Sequence, residues 1–227
     1  MKTVSLSELY DILCESVAHD PSWPDGTWPV RGAFSPPAFE VVVGAVLTQN
    51  TRWENVEKAL QEMVSRGLTT TERVLNAAQD ELEKAVAPSG FFRRKASTLR
   101  SLSTLLQPVF AGQKRVSRSL LLEVSGVGPE TADSILLYAF GDPEFVIDAY
   151  TSRLLSRLGI TGPDARYDDL KSRFENELVC DTNLYREYHA LIVQHCKRTC
   201  LAKPKCDSCN LARRCCFFGT GMAGSPR

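Results

Sequence analysis

Five of the eight cysteines fall between Cys200 and Cys216. Thiols so close together cannot staple distant parts of a 227-residue chain, so the fold must rest on its own core and not on a disulfide framework. In "CLAKPKCDSCNLARRC" four of them, Cys200, Cys206, Cys209 and Cys215, are spaced C-x5-C-x2-C-x5-C. Four thiolates on one loop bind zinc tetrahedrally or hold a four-iron, four-sulfur cluster, and the spacing alone leaves both open. Either group requires reduced thiols and hence a reducing compartment. Lys203, Lys205, Asp207, Arg213 and Arg214 surround the set and argue against a buried cluster of inert thiols. Cys14 and Cys180, by contrast, read as core residues.

With 43% hydrophobic residues the chain has the means to build one large or two small cores. Twenty-seven basic and twenty-seven acidic residues cancel, so any contact with a nucleic acid has to be local. The start, "MKTVSLSELYDILCES", has no uninterrupted apolar core of the kind a secretory signal carries, and no apolar run is long enough to span a membrane. The expectation is a soluble, intracellular, cytoplasmic protein with no membrane contact.

Periodicity is helical almost throughout. Leu6, Leu9, Tyr10, Leu13 and Val17 recur at three- and four-residue steps, as do Ala132, Ile135, Leu136 and Ala139, and later Leu184, Tyr188, Leu191, Ile192 and His195. Helices are predicted at 38–48, 51–66, 71–77, 80–87, 93–107, 118–124, 129–140, 149–158, 167–180 and 184–198, and the fold class is all-α. Asp20 to Pro37 carries five prolines and two tryptophans and reads as a long surface loop, and the tail after Phe218 as frayed. His195 lies on an apolar helix face and reads as a packed histidine.

Between two short helices stands "SGVGP", residues 125–129. Pro129 suits a first helical turn, and bare backbone at Gly126 and Gly128, either side of Val127, allows close approach of a ligand. Two readings stay open here: a phosphate clamp made by N–H groups at a helix start, or a plain helix–helix turn with Val127 buried. Asp148, before "AYTSRLLSRLG", has the place of an N-cap.

The hairpin, followed by an aspartate 22 positions beyond Gly126, resembles the helix-hairpin-helix, Gly/Pro-rich, Asp superfamily of DNA glycosylases and, within it, the endonuclease III branch. "GAVLTQNT" at 44–51, "PSGFFRRKA" at 88–96 and the cysteine cluster extend the likeness in the same order. The cluster is one residue shorter between its first two cysteines than the branch pattern C-x6-C-x2-C-x5-C. The resemblance implies two helical lobes with a DNA groove between them: a helical barrel over 38–140, and a second lobe from 1–37 with 141–227. It also implies a 4Fe-4S cluster in preference to zinc, damaged double-stranded DNA as partner, and a monomer. Asp148 would stabilise the sugar cation as the base departs, and Gln49 would fill the hole left by a flipped base; by their own run at a helix start, Arg93, Arg94 and Lys95 read either as a phosphate grip or, by default, as a solvated face. Bifunctional members carry a lysine where this chain has Glu130, which implies a monofunctional glycosylase.

"TWP" at 27–29 and "AVLTQNTRWE" at 45–54 look closer to the 3-methyladenine DNA glycosylases of this branch. In those relatives the positions of Trp28 and Trp53 line the base pocket, and a tryptophan face attracts electron-poor or cationic alkylated purines. Two alternatives accompany that reading: a glycosylase for oxidised pyrimidines, and a DNA-binding module without catalysis.

Overall fold

A computed structural model describes residues 4–17, 28 and 31–219. Most of the Asp20–Pro37 loop and the 220–227 tail lie outside the described residues. The described chain contains twelve α-helices: α1 Leu6–Val17, α2 Pro37–Leu47, α3 Trp53–Ser65, α4 Thr71–Asn76, α5 Gln79–Val86, α6 Phe92–Phe110, α7 Arg118–Leu122, α8 Pro129–Ser134, α9 Ala149–Leu158, α10 Tyr167–Glu177, α11 Thr182–Arg198 and α12 Cys216–Gly219. No strand occurs among the described residues. No helix in them is long and apolar enough to cross a membrane. The predicted helices are all present, with one departure: the segment 129–140 is α-helical only to Ser134 and continues as a π-helix over Ile135–Phe140.

The chain divides into two compact units, Trp28–Asp142 on one hand and Met1–Thr27 with Pro143–Arg227 on the other. In the first, α2 is apolar on every side and buried from Phe39 to Leu47, which makes it the central post of the unit. Leu60 and Met63 of α3, Leu82 of α5, Leu99 and Leu102 of α6 and Ile135 belong to the same core. Gly44 lies on α2 where a Cβ would stand 3.0 Å from the Trp28 indole, so a side chain there would push that ring outward by a few tenths of an ångström. Glu40, one turn earlier, is fully buried and accepts a bond from the Arg31 backbone N–H at 2.8 Å.

The second unit is organised by aromatic rings. Phe145 stacks on Phe174 with centroids 3.8 Å apart, and the edges of Tyr185 and Tyr188 meet them. The Tyr188 hydroxyl donates to Leu6 O at 2.7 Å and so ties α1 to α11. The α9 helix is bounded by Asp148 at its start and by Gly159 at its end, where φ of 72° and the bond from Ile160 N–H to Leu155 O close the last turn. Cys180 is exposed and Cys14 half-buried, so the reading of Cys180 as core is corrected: it lies past the end of α10, where the chain has left the helix at the extended Leu178.

Candidate nucleic-acid interface and catalytic carboxylate

The glycine hairpin is held from four directions. Ser117 caps α7, Val127 N–H donates to Val124 O at 3.0 Å inside the turn, and Gly128 begins α8 with Pro129 in its first turn. From α6 the Thr98 hydroxyl donates to Ser125 O at 2.9 Å. From the end of α2 the Gln49 amide donates to Gly126 O at 3.0 Å and to Thr131 Oγ1 at 2.9 Å. Arg118 forks onto the fully buried Asp133 carboxylate, at 2.7 and 3.2 Å, locking α7 to α8.

The two glycines are bare for different reasons. Gly126 has φ of 90°, and a Cβ there would stand 2.1 Å from Thr98 Oγ1, so the fold itself demands glycine. Gly128 has ordinary extended backbone, and a Cβ there would meet nothing of the chain within 4 Å. Val127 is buried, as the turn reading expected, and its N–H is used within the turn.

Arg93 and Arg94 are exposed at the start of α6, with Arg93 packed on the Phe92 ring at 5.6 Å. Lys95 is not with them. It is buried, its ammonium donates to Leu47 O at 2.8 Å and Ser89 O at 2.7 Å, and burial pulls its pKa down to about 8. The phosphate-gripping role expected of Lys95 is thus corrected: 100° of helical rotation separates adjacent residues, and the third cation of the run turns inward. Sequence reasoning missed Phe91. It is 68% exposed and sits in the left-handed region at φ of 46°, next to Gly90 at φ of 73°. Exposure of so large an apolar ring and its left-handed backbone leave no mark on the spacing of the sequence.

Trp28 and Trp53 are both half-buried and meet edge to face, with centroids 6.0 Å apart. Tyr138, which the sequence did not single out, completes an aromatic trio at 5.4 Å from Trp28. It belongs to the π-helix, whose wide turn breaks the spacing by which a helical face is recognised. Glu130 lies on the first turn of α8 and is exposed.

Asp148 is mostly buried. Its Oδ1 accepts the Thr151 backbone N–H at 2.7 Å and the Thr151 hydroxyl at 2.9 Å, while Oδ2 faces His189 Nε2 at 3.6 Å. Burial opposes its ionisation, but His189 and Thr151 outweigh burial and hold the pKa below the ordinary carboxylate value. It is an N-cap and an anion at once.

Residues 43–179 match the HhH-GPD superfamily, described as "HhH-GPD superfamily base excision DNA repair protein". The chain belongs to the HhH-GPD superfamily of base excision DNA repair proteins. Among curated relatives of this HhH-GPD chain is "Putative DNA repair glycosylase MJ1434" of Methanocaldococcus jannaschii, 40% identical over 217 residues, which are 92% of this chain and 94% of that one. Endonuclease III of Thermotoga maritima is 28% identical over 193 residues, 83% of this chain and 87% of its own length. Among solved structures, H. pylori 3-methyladenine DNA glycosylase (MagIII) bound to 1,N6-ethenoadenine matches with a TM-score of 0.73 and 29% identity, covering 86% of this chain and 98% of that one.

As in the sequence motif, Cys200, Cys206, Cys209 and Cys215 of this HhH-GPD chain come together, lining one small cavity with Arg157 and His195. Cys216 lies elsewhere, its sulfur packed over Gly159. Among the described residues, no three of His, Cys, Asp and Glu are close enough to hold a metal ion directly. The donor set nevertheless suits a four-thiolate group. Arg157 donates to Cys200 Sγ at 3.2 Å and to the carbonyls of Cys200, Leu201 and Ala202, and Arg153 donates to Cys200 O at 2.9 Å. The neighbouring Cys196 side chain, with the Arg157 guanidinium, holds the Cys200 thiol below the usual range. Burial pushes the Cys206 and Cys209 thiols up. His195 is buried as expected, but its Nε2 faces Cys209 Sγ at 3.8 Å, and burial lowers its pKa to about 4.

Proposed function

We propose that this DNA glycosylase of the endonuclease III family is monofunctional and hydrolyses the N-glycosidic bond of alkylated purines such as 3-methyladenine in double-stranded DNA. The observation that carries the chemistry is Asp148, a mostly buried carboxylate kept ionised by His189 and Thr151. Such an anion stabilises an oxocarbenium-like sugar and orients a water for attack. The Trp28, Trp53 and Tyr138 rings supply faces for a flipped base, and an electron-poor methylated purine gains most from them. The 29% identity with the H. pylori 3-methyladenine glycosylase supports that substrate class.

Glu130 cannot form an imine with the sugar, so water is the nucleophile. Gly126 and Gly128 with Val127 form the backbone clamp on phosphate, Arg93 and Arg94 add charge, and Phe91 wedges between base steps. Gln49 braces the clamp through Gly126 O and Thr131. Cys200, Cys206, Cys209 and Cys215 would hold a 4Fe-4S cluster, on a loop that Arg153 and Arg157 bind to α9.

Incubated with DNA carrying methylated purines, the protein should release free 3-methyladenine and leave abasic sites that break only after alkali, and borohydride should trap no covalent complex. Efficient trapping would show an amine nucleophile, and release of thymine glycol in place of methylpurines would move the substrate to oxidised pyrimidines. Purified without oxygen, the protein should be brown with about four irons per chain, as one cluster on four thiolates requires. Colourless protein with a single zinc would refute the cluster.

A further inference from the structure

We infer that His189 is a positioning residue for Asp148, fixing the carboxylate oxygen that the helix cap leaves over. The inference rests on the catalytic reading of Asp148 and goes beyond it to a second residue on another helix. The two oxygens of Asp148 are already divided. Oδ1 is committed to α9, since it accepts both the N–H and the hydroxyl of Thr151. Oδ2 is the oxygen left for chemistry, and the group facing it is the imidazole of His189, which α11 brings to 3.6 Å. Both side chains are about 14% and 13% exposed, so water screens their interaction little.

Other groups near the carboxylate do not share this role. Cys196, also on α11, feels the Asp148 charge but turns its sulfur to Tyr150 O at 3.6 Å. Arg153, one turn along α9, places its guanidinium over the Tyr150 ring and on Cys200 O. Thr151 serves Oδ1. A protonated imidazole at His189 is a cation opposite Oδ2 at 3.6 Å, a distance of charge attraction and not of a hydrogen bond. The carboxylate is thereby braced from a second helix, α11, while Oδ1 is held on α9.

The consequence is read in the acid limb of the pH–rate profile. Asp148 works ionised, and its pKa in the folded protein is depressed, so activity is lost as pH falls through that lowered value. Without His189 the burial of Asp148 is opposed by Thr151 alone, and the limb moves to higher pH.

The test is single-turnover release of 3-methyladenine from methylated duplex DNA by wild type, His189→Leu and His189→Gln, from pH 4 to pH 9 (a range of about five units). His189→Leu should shift the acid limb upward by about one unit, making it roughly tenfold slower than wild type on that limb, and should also lower the pH 8 rate, by roughly five- to tenfold. His189→Gln, a neutral donor, should recover the pH 8 rate but keep part of the shift. A carbon-13 titration of the Asp148 carboxyl in free protein should move the same way. Overlaid profiles and an unmoved carboxyl titration would overturn the role of His189. If the leucine variant does not fold, an unshifted limb in His189→Gln overturns it equally. Full activity in Asp148→Asn would instead overturn the catalytic reading, whatever the His189 variants do.

Discussion

Asp148→Asn should lower base excision by on the order of 10² or more while leaving the protein folded and bound to DNA. The amide oxygen can still accept from Thr151 N–H and its hydroxyl, so the cap of α9 survives in much of its geometry. The charge does not survive. A neutral side chain offers a developing sugar cation little, and its NH2 group turned toward His189 would replace an acceptor with a donor. The measurement is single-turnover excision beside binding to a duplex with an abasic-site analogue, and thermal unfolding of both proteins. Unchanged excision would leave Asp148 as a helix cap and nothing more.

The second large effect separates the two hairpin glycines. Gly126→Ala should destabilise the protein by roughly 1–3 kcal/mol, because φ of 90° is strained for alanine and Thr98 Oγ1 occupies the place of the new methyl group. Gly128→Val should leave unfolding within about 0.5 kcal/mol of wild type, since the chain has nothing near that Cβ position. It should nonetheless weaken binding to damaged and undamaged duplexes alike, by roughly tenfold or more, since backbone contacts to phosphate carry no sequence information. Fluorescence anisotropy with matched duplexes reads the affinity and calorimetry the stability. Normal affinity in a folded Gly128→Val protein would show that the hairpin is a turn only.

Much of this was legible in the sequence because the signals are local. Helical periodicity placed α1 to α11, Pro129 and the glycines marked the hairpin, and Asp148 stood in cap position. The cysteine spacing picked out the four thiols that line one cavity. What was hidden depends on rotation or distance. Lys95 looked like the third cation of an exposed run and is buried, because two steps along a helix reverse the direction a side chain faces. Gln49 has its place from an amide that reaches residues 126 and 131, far along the chain. His189 meets Asp148 across 41 positions, and nothing in "REYHALIV" distinguishes a histidine that serves a carboxylate from one that merely packs. Phe91 was overlooked because strain at φ of 46° leaves no trace in composition.

The π-helix at Ile135–Phe140 bears on how the aromatic cluster around Trp28 changes through insertion and deletion. A π turn is a regular helix with one residue added, absorbed locally by a wide loop of backbone, here ending at Gly141 with Asp142 N–H reaching back to Leu136 O at 3.0 Å. Losing one residue from the segment would restore an ordinary helix and leave Ala132 and the start of α8 where they are. Only the residues between the deletion and the end of the wide turn would shift register, by about 100°, and a different side chain would face Trp28 in place of Tyr138. In a chain built this way, the aromatic lining can be exchanged by a single codon gained or lost, with the core and the hairpin untouched.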